Sequence, residues 1–162
     1  MAKIESVSSR ERREILEDIG NMIEGLDDLL PKKGKTTKYL NEKGEVGYLV
    51  NRSNLVLIKK NDFYFPCLKI VRKIKINIPK IIVDLGAIRF VTNGADIMRP
   101  GITKIEENIL EGSLVLIVEE KNGAALAFGK SLYDAVDMQM MENGRVIENL
   151  HYLKDDWFNF EI

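Results

Sequence analysis

The sequence predicts an α+β protein in two parts: an N-terminal α+β domain over residues 1–78, then a compact barrel of short β-strands with two small helices over residues 79–162. Three observations predict it. Helical periodicity is confined to the opening of the chain, short segments rich in Val, Ile, Leu, Tyr and Phe follow it, and the sign of the charge reverses near Pro79. A chain of 162 residues has room for one large domain or two small ones.

The opening SSRERREILEDIGNMIEGL reads as an amphipathic helix, because Ile15, Ile19, Met22, Ile23 and Leu26 recur at three-and-four spacing. Ser8 with Glu11 three residues later forms a capping box, and Gly25 or Pro31 ends the helix. PKKGKTTK is expected to be a basic loop. From Tyr39 the pattern is strand and turn, with breaks at 41–44, 51–54 and 59–62. Ile74, Ile76 and Ile78 alternate with Lys73, Lys75 and Asn77, the mark of an extended segment with one apolar and one mostly basic face. Pro79 then marks a joint.

Beyond it the expected order is a strand at 80–83, a short helix from Gly86 to Gly94, an extended piece around 99–102 and strands at 113–118 and 124–128. Ser131 with Asp134 starts a second short helix that Gly144 terminates, and 146–153 is the closing strand. Short strands with two small helices suggest a barrel.

Residues 1–80 hold 17 Lys plus Arg against 11 Asp plus Glu, net +6, whereas residues 81–162 hold 7 against 14, net −7. Within the first part, residues 30–80 carry 13 basic and 3 acidic side chains, so a polyanion is drawn there first. Cys67 is the only cysteine and cannot close an intramolecular disulfide, and the longest apolar run, 114–118, is far too short to cross a bilayer. With no basic-then-apolar leader at the start, a reducing cytoplasm is the expected setting, with no membrane association.

VDLGAIRFVTNGADIMRPGI, residues 83–102, resembles the signature of PUA domains: a strand, an Asp-x-Gly-Ala turn into a short helix, a Gly-Ala-Asp exit, then Pro-Gly. EGSLVLIVEE, ALAFGKS and GRVIENLHYL resemble the strands that follow in that domain. The resemblance implies a C-terminal PUA-type pseudo-barrel. Upstream, YFPCLKIVRK resembles the segment preceding the PUA domain in the malignant T-cell-amplified-sequence family of translation factors, and IENLHYLKDDWF its C-terminus; residues 1–60 match only loosely. What this implies is a non-catalytic RNA-binding protein that engages the acceptor end of tRNA and the small ribosomal subunit during initiation or recycling, with a possible partner carrying an initiation-factor-one-type domain.

Asp84, just before the Gly-Ala helix start, suits a cap better than a catalytic acid. Gly86, Gly94 and Gly101 suit positive backbone angles or close approach of another backbone. Arg89, Asn93, Arg99 and Lys104, with Gly94 and Gly101, fall on the part of the chain that resembles the RNA-docking surface of PUA domains, and Lys130 and Arg145 could extend it. Arg offers forked contacts to phosphate and Asn reaches base edges, although a solvated surface uses the same residues. Lys69, Arg72, Lys73 and Lys75 in the basic middle are expected to project from extended chain, where they could track phosphates or simply face solvent. Tyr64, Phe65 and Trp157 are expected in the core rather than stacked on bases, Cys67 as a buried small hydrophobe, and His151 as a packed or RNA-adjacent residue. The acid pairs Glu106–Glu107, Glu119–Glu120 and Asp155–Asp156 read as solvated turns.

One histidine and one cysteine cannot assemble a zinc site with nitrogen and sulfur ligands, and no Walker-type loop or dinucleotide fingerprint is present, so neither a metal nor a nucleotide cofactor is expected. Two other classes fit less well. One is an accessory RNA-binding piece of an RNA-modifying enzyme, whose catalytic domain this chain is too short to contain; the other is a protein-interaction module, consistent with the acidic C-terminal part.

Overall fold

The computed structural model describes residues 2–32 and 35–161. The fold divides into two compact units, one running to Asn77 and joined by Phe160, the other Ile78–Asn159.

The first unit orders β1 (Lys3–Ser6), α1 (Ser9–Ile19), α2 (Leu26–Leu29), β2 (Thr36–Leu40), β3 (Val46–Val50), β4 (Asn54–Lys60) and β5 (Phe63–Pro66). Its strands form one antiparallel sheet in the order β1-β2-β3-β4-β5. Ile15 and Ile19 of α1 pack with Ile23, Leu26 and Leu30 against Tyr48, Leu57 and Tyr64 of the sheet. Ser8 caps α1 by accepting the Glu11 N–H at 3.1 Å. The reciprocal half of the capping box gives way to a tertiary one. The Glu11 carboxylate accepts from Lys38 Nζ at 2.8 Å and from the buried Tyr48 hydroxyl at 2.9 Å, so it fastens the first helical turn to two strands. Burial, and then the Glu11 acceptor, push the Tyr48 phenol far above its ordinary range, so it remains a donor.

Three expectations are corrected here. The helix ends at Ile19, not at Gly25 or Pro31. Beyond it Asn77 N–H donates to Met22 O (2.7 Å), Glu24 N–H donates to Lys75 O (3.0 Å) and Ile23 bridges Ile76, pairings that use the backbone groups a longer helix would have used itself. The Lys69, Arg72 and Lys73 side chains stand on a 3-10 turn, Leu68–Lys73, not on extended chain; the turn buries Leu68 and leaves the three basic residues exposed, and the chain becomes extended from Ile74. Of the expected basic loop, residues 36–38 belong to the strand Thr36–Leu40, and residues 33 and 34 lie outside the described residues.

The second unit orders β6 (Lys80–Val83), a 3-10 turn (Leu85–Ala87) running into α3 (Ile88–Val91), β7 (Ile97–Met98), a 3-10 turn (Arg99–Gly101), β8 (Ile102–Ile105), β9 (Leu114–Glu119), β10 (Ala125–Ser131), α4 (Ala135–Met140) and β11 (Arg145–Tyr152). The strands run β7-β11-β10-β9-β6-β8 in a mixed, nearly closed pseudo-barrel; β6 pairs parallel with β9 and every other neighbour is antiparallel. Ile81, Val83, Val115, Ile117, Ala127 and Ile147 fill its centre.

Residue 99 therefore opens a tight turn where extended chain was expected. Asp134, not Ser131, occupies the N-cap position of α4, and Ser131 lies in β10 with its hydroxyl donating to Tyr133 O at 2.6 Å. That helix stops at Met141, which turns extended, three residues before Gly144.

The acid pairs match the expected solvated turns in one member only. In each, one member accepts backbone N–H groups while its neighbour is exposed. Glu106 takes Lys80 N–H (2.6 Å); Glu119, 5% exposed, takes those of Lys121 (2.8 Å), Asn122 (2.6 Å) and Ala124 (3.0 Å); Asp155 takes those of Tyr152 (3.0 Å) and Phe158 (2.8 Å). His151 is fully buried and its Nδ1 donates to Asp155 at 2.7 Å, so it is a packing residue without access to RNA. Burial alone would raise the Asp155 carboxyl, but the His151 hydrogen bond and charge, with the two backbone donors, hold it below the usual carboxylate range. Tyr64, Phe65, Trp157 and Cys67 are all buried, as expected.

The β10–β11 register shifts between Phe128 and Gly129, where the two strands approach too closely for a side chain. A Cβ there would lie 2.9 Å from Glu148 O and against the Ile147 side chain. Gly129→Ala is expected to cost about 1–3 kcal/mol in urea unfolding, because backbone cannot yield as a flexible side chain can. Glu119 supplies a pH signature: the N–H of Ala124, then those of Lys121 and Asn122, hold its carboxyl below the ordinary range against the opposing effect of burial. A carboxyl depressed in the fold stabilises above its unfolded pKa and loses that contribution as pH falls through the folded value. Glu119→Gln is therefore expected to lower Tm at neutral pH, with the gap to wild type closing below about pH 4; a gap unchanged by pH would contradict the assignment.

Candidate nucleic-acid interface

An open groove of about 460 Å³ runs along the second unit between the Leu85–Ala87 turn with α3 on one side and β7 with the Arg99–Gly101 turn on the other. Asp84 fixes the first wall: its Oδ1 accepts the Ala87 N–H at 2.9 Å, and its own N–H donates to Gly101 O at 2.9 Å, joining the two walls. The floor is apolar, with Ala87, Phe90, Val91, Ala95, Ile97 and Met98. Phe90 is 54% and Met98 50% exposed, side chains a self-contained core would have buried. The Arg89 guanidinium lies 4.7 Å above the Phe90 ring, placing a cation on an aromatic face at the rim.

The loop leaving α3 is held by β11. Asn149 Nδ2 donates to Val91 O (3.1 Å) and Ala95 O (3.0 Å), and Asp96 returns the contact by accepting Asn149 N–H at 2.8 Å. Gly94 sits at φ +96°, and a Cβ on it would strike the Tyr152 ring 2.7 Å away, so this position meets both expected reasons for glycine. Gly86 and Gly101 have neither a positive φ nor a close backbone neighbour; both line the groove, and their missing side chains keep it open.

The residues singled out from the sequence divide into distinct groups. Arg89 and Asn93 are exposed on and beside α3, with Asn93 Nδ2 donating back to Arg89 O at 2.6 Å. Lys104 is exposed on β8, and Lys130 half-buried on β10. Arg99 is committed within the fold, its Nε donating to Met138 O (2.8 Å) and its guanidinium to Ile102 O (3.2 Å). Arg145 donates to Asp96 at 2.9 Å. Lys69, Arg72 and Lys73 are exposed on the first unit. Sequence reasoning missed Phe90 and Met98 as floor residues, since a four-residue helix is too short to reveal which face it buries. Among the described residues no three His, Cys, Asp or Glu side chains are grouped to hold a metal ion, and no helix is long and apolar enough to cross a membrane.

This arrangement of strand, capped turn, short helix, glycine-lined groove and closing strand has a name: residues 79–153 match the model of the PUA domain, and the second unit carries that domain. The likeness extends through the first unit. An uncharacterized protein of Methanocaldococcus jannaschii is 33% identical over 96% of this chain and 94% of its own length. Translation machinery-associated protein 20 of Saccharomyces cerevisiae is 32% identical over 85% of this chain and 78% of its own. A crystal structure of a hypothetical protein from Pyrococcus horikoshii superposes with a TM-score of 0.75 at 28% identity, covering 97% of this chain and 98% of that one. The chain belongs to the family of Translation machinery-associated protein 20 and Malignant T-cell-amplified sequence 1.

Proposed function

We propose that this protein is a non-catalytic RNA-binding protein of translation, which holds the acceptor end of tRNA in the PUA groove and engages the small ribosomal subunit. The PUA domain and the names of its relatives support an RNA-binding role in translation. The observation that carries the finer reading is the exposed Phe90 ring under the Arg89 guanidinium at the edge of an apolar, glycine-lined groove. An unpaired terminal base can stack on Phe90 or Met98 while Arg89 meets its phosphate, a combination that suits single-stranded ends better than the closed face of a duplex. Asn93, Gly94, Gly101 and Lys104 are assigned to the same RNA surface. Arg99 and Arg145 are assigned supporting roles, since their donors already serve Met138, Ile102 and Asp96. The exposed Lys69, Arg72 and Lys73 supply a long-range electrostatic contribution that the acidic second unit lacks. A partner with an initiation-factor-one-type domain is compatible with this role. A non-enzymatic reading fits the histidine, the sole candidate general base of its type, being fully buried on Asp155.

Fluorescence anisotropy with labelled tRNA tests the groove. Phe90→Ala is expected to weaken binding by about 1–3 kcal/mol, the range for one stacked base, and Arg89→Glu to weaken it further. The triple change Lys69→Ala, Arg72→Ala, Lys73→Ala is expected instead to flatten the dependence of log K on log salt by about 0.7–0.9 per lost phosphate contact. Unchanged affinity and slope in folded variants would remove the RNA reading. We further propose that residues 1–78 and 79–162 are separate domains, so a fragment spanning 77–162 is expected to melt cooperatively on its own; a fragment without a cooperative transition would contradict this division.

A further inference from the structure

A second surface of the PUA unit shares no residue with the groove. Segment 109–112 runs beside 131–135: Ala135 N–H donates to Ile109 O (2.9 Å), Glu111 N–H to Asp134 Oδ1 (2.7 Å) and Gly112 N–H to Ser131 O (2.7 Å). This pairing places Leu110, 65% exposed, beside Tyr133 and the start of α4. On α4, Val136 (76% exposed) and Met140 (83% exposed) are one turn apart on one face, while Ala135 and Met138 fill the core from the other. Isolated exposed apolar side chains are ordinary, but four together on adjoining segments are a patch without a cover.

Its surroundings define what can cover it. Segments 105–113 and 131–144 contain six carboxylates and no Lys or Arg; the cations nearest them are Lys104, Lys130 and Arg145 at their ends, the last paired with Asp96, and Arg99, whose guanidinium is tied to Met138 O. Glu106 and Asp134 are bonded to backbone N–H groups, which leaves Glu107, Glu111, Asp137 and Glu142 exposed around the patch. Such a rim repels a phosphate backbone, and a second copy of the same face would set like charges against each other. We propose that Leu110, Tyr133, Val136 and Met140 form a docking face for a basic amphipathic segment of a partner protein, whose apolar side chains cover the patch and whose Lys or Arg residues meet the carboxylate rim. None of these four residues lines the groove, so tRNA binding there is expected to persist when this face is occupied.

The test is a nitrogen-15 NMR titration of the full chain with a synthetic Leu/Lys peptide patterned as an amphipathic helix, alongside a Leu/Glu peptide of the same pattern. The Leu/Lys peptide is expected to shift the amides of Leu110 and residues 133–140, and to bind more weakly as salt rises from about 0.05 to about 0.2 M; the Leu/Glu peptide is expected to leave them unmoved. Val136→Asp with Met140→Asp is expected to weaken the Leu/Lys peptide at least about tenfold while tRNA binding is retained. Leu110→Ser, outside the helix, gives the same readout if the double variant fails to fold. Shifts confined to other surfaces, equal binding of the Leu/Glu peptide, or an RNA oligonucleotide that moves these same amides would each overturn the proposal.

Discussion

Short strands create a shortage of backbone partners, and the second unit resolves it with carboxylates. Turns between strands of two to eight residues leave N–H groups that the ladders do not reach. Asp84, Asp96, Glu106, Glu119, Asp134 and Asp155 each accept at least one of them. The same shortage on the acceptor side is met by Arg99 and Asn149, which donate to Met138, Ile102, Val91 and Ala95 carbonyls. Much of the net −7 of this half is therefore structural charge that points at the protein's own backbone. An acidic balance of this kind says less about the ligand than the few side chains left facing outwards.

The PUA groove is a by-product of this arrangement. Asp84 and Asn149 lock the two walls and the connecting loop, which allows Phe90 and Met98 to remain exposed without the segment collapsing onto them. Rigid walls with an apolar floor hold a ligand at little ordering cost.

The sequence was a good guide to strands and a poorer one to where helices stop. Alternation and turn residues located β3 to β6 and β9 to β11 closely, because a strand's alternation and the breaks that bound it are written in adjacent residues, whereas β2 was hidden in a stretch that reads as a basic loop. The end of α1 was hidden, since Met22, Ile23 and Leu26 prolong a helical spacing while their burial comes from a bridge to residue 76 and from a separate turn of helix. The same limit applies to the site. Arg89, Arg99 and Arg145 are indistinguishable as letters, yet one lies over an exposed ring, one is tied to two carbonyls and one is neutralised by Asp96. For Arg99 and Arg145 the deciding partners, Met138 and Asp96, lie 39 and 49 residues away, where no local pattern carries them.

The single parallel pairing in the barrel imposes an order on synthesis. In the first sheet each strand from β3 onward follows its neighbour in the sheet after a short turn. Strand β6 has no such neighbour: its flanking strands are β8 and β9, and residues 80–83 must wait for residues 116–119 before both edges are covered. Until then the Lys-Ile-Ile-Val segment keeps an uncovered β-edge even after β8 has paired with its other side, and Lys80 at its head and Pro79 before it are residue types that disfavour edge pairing.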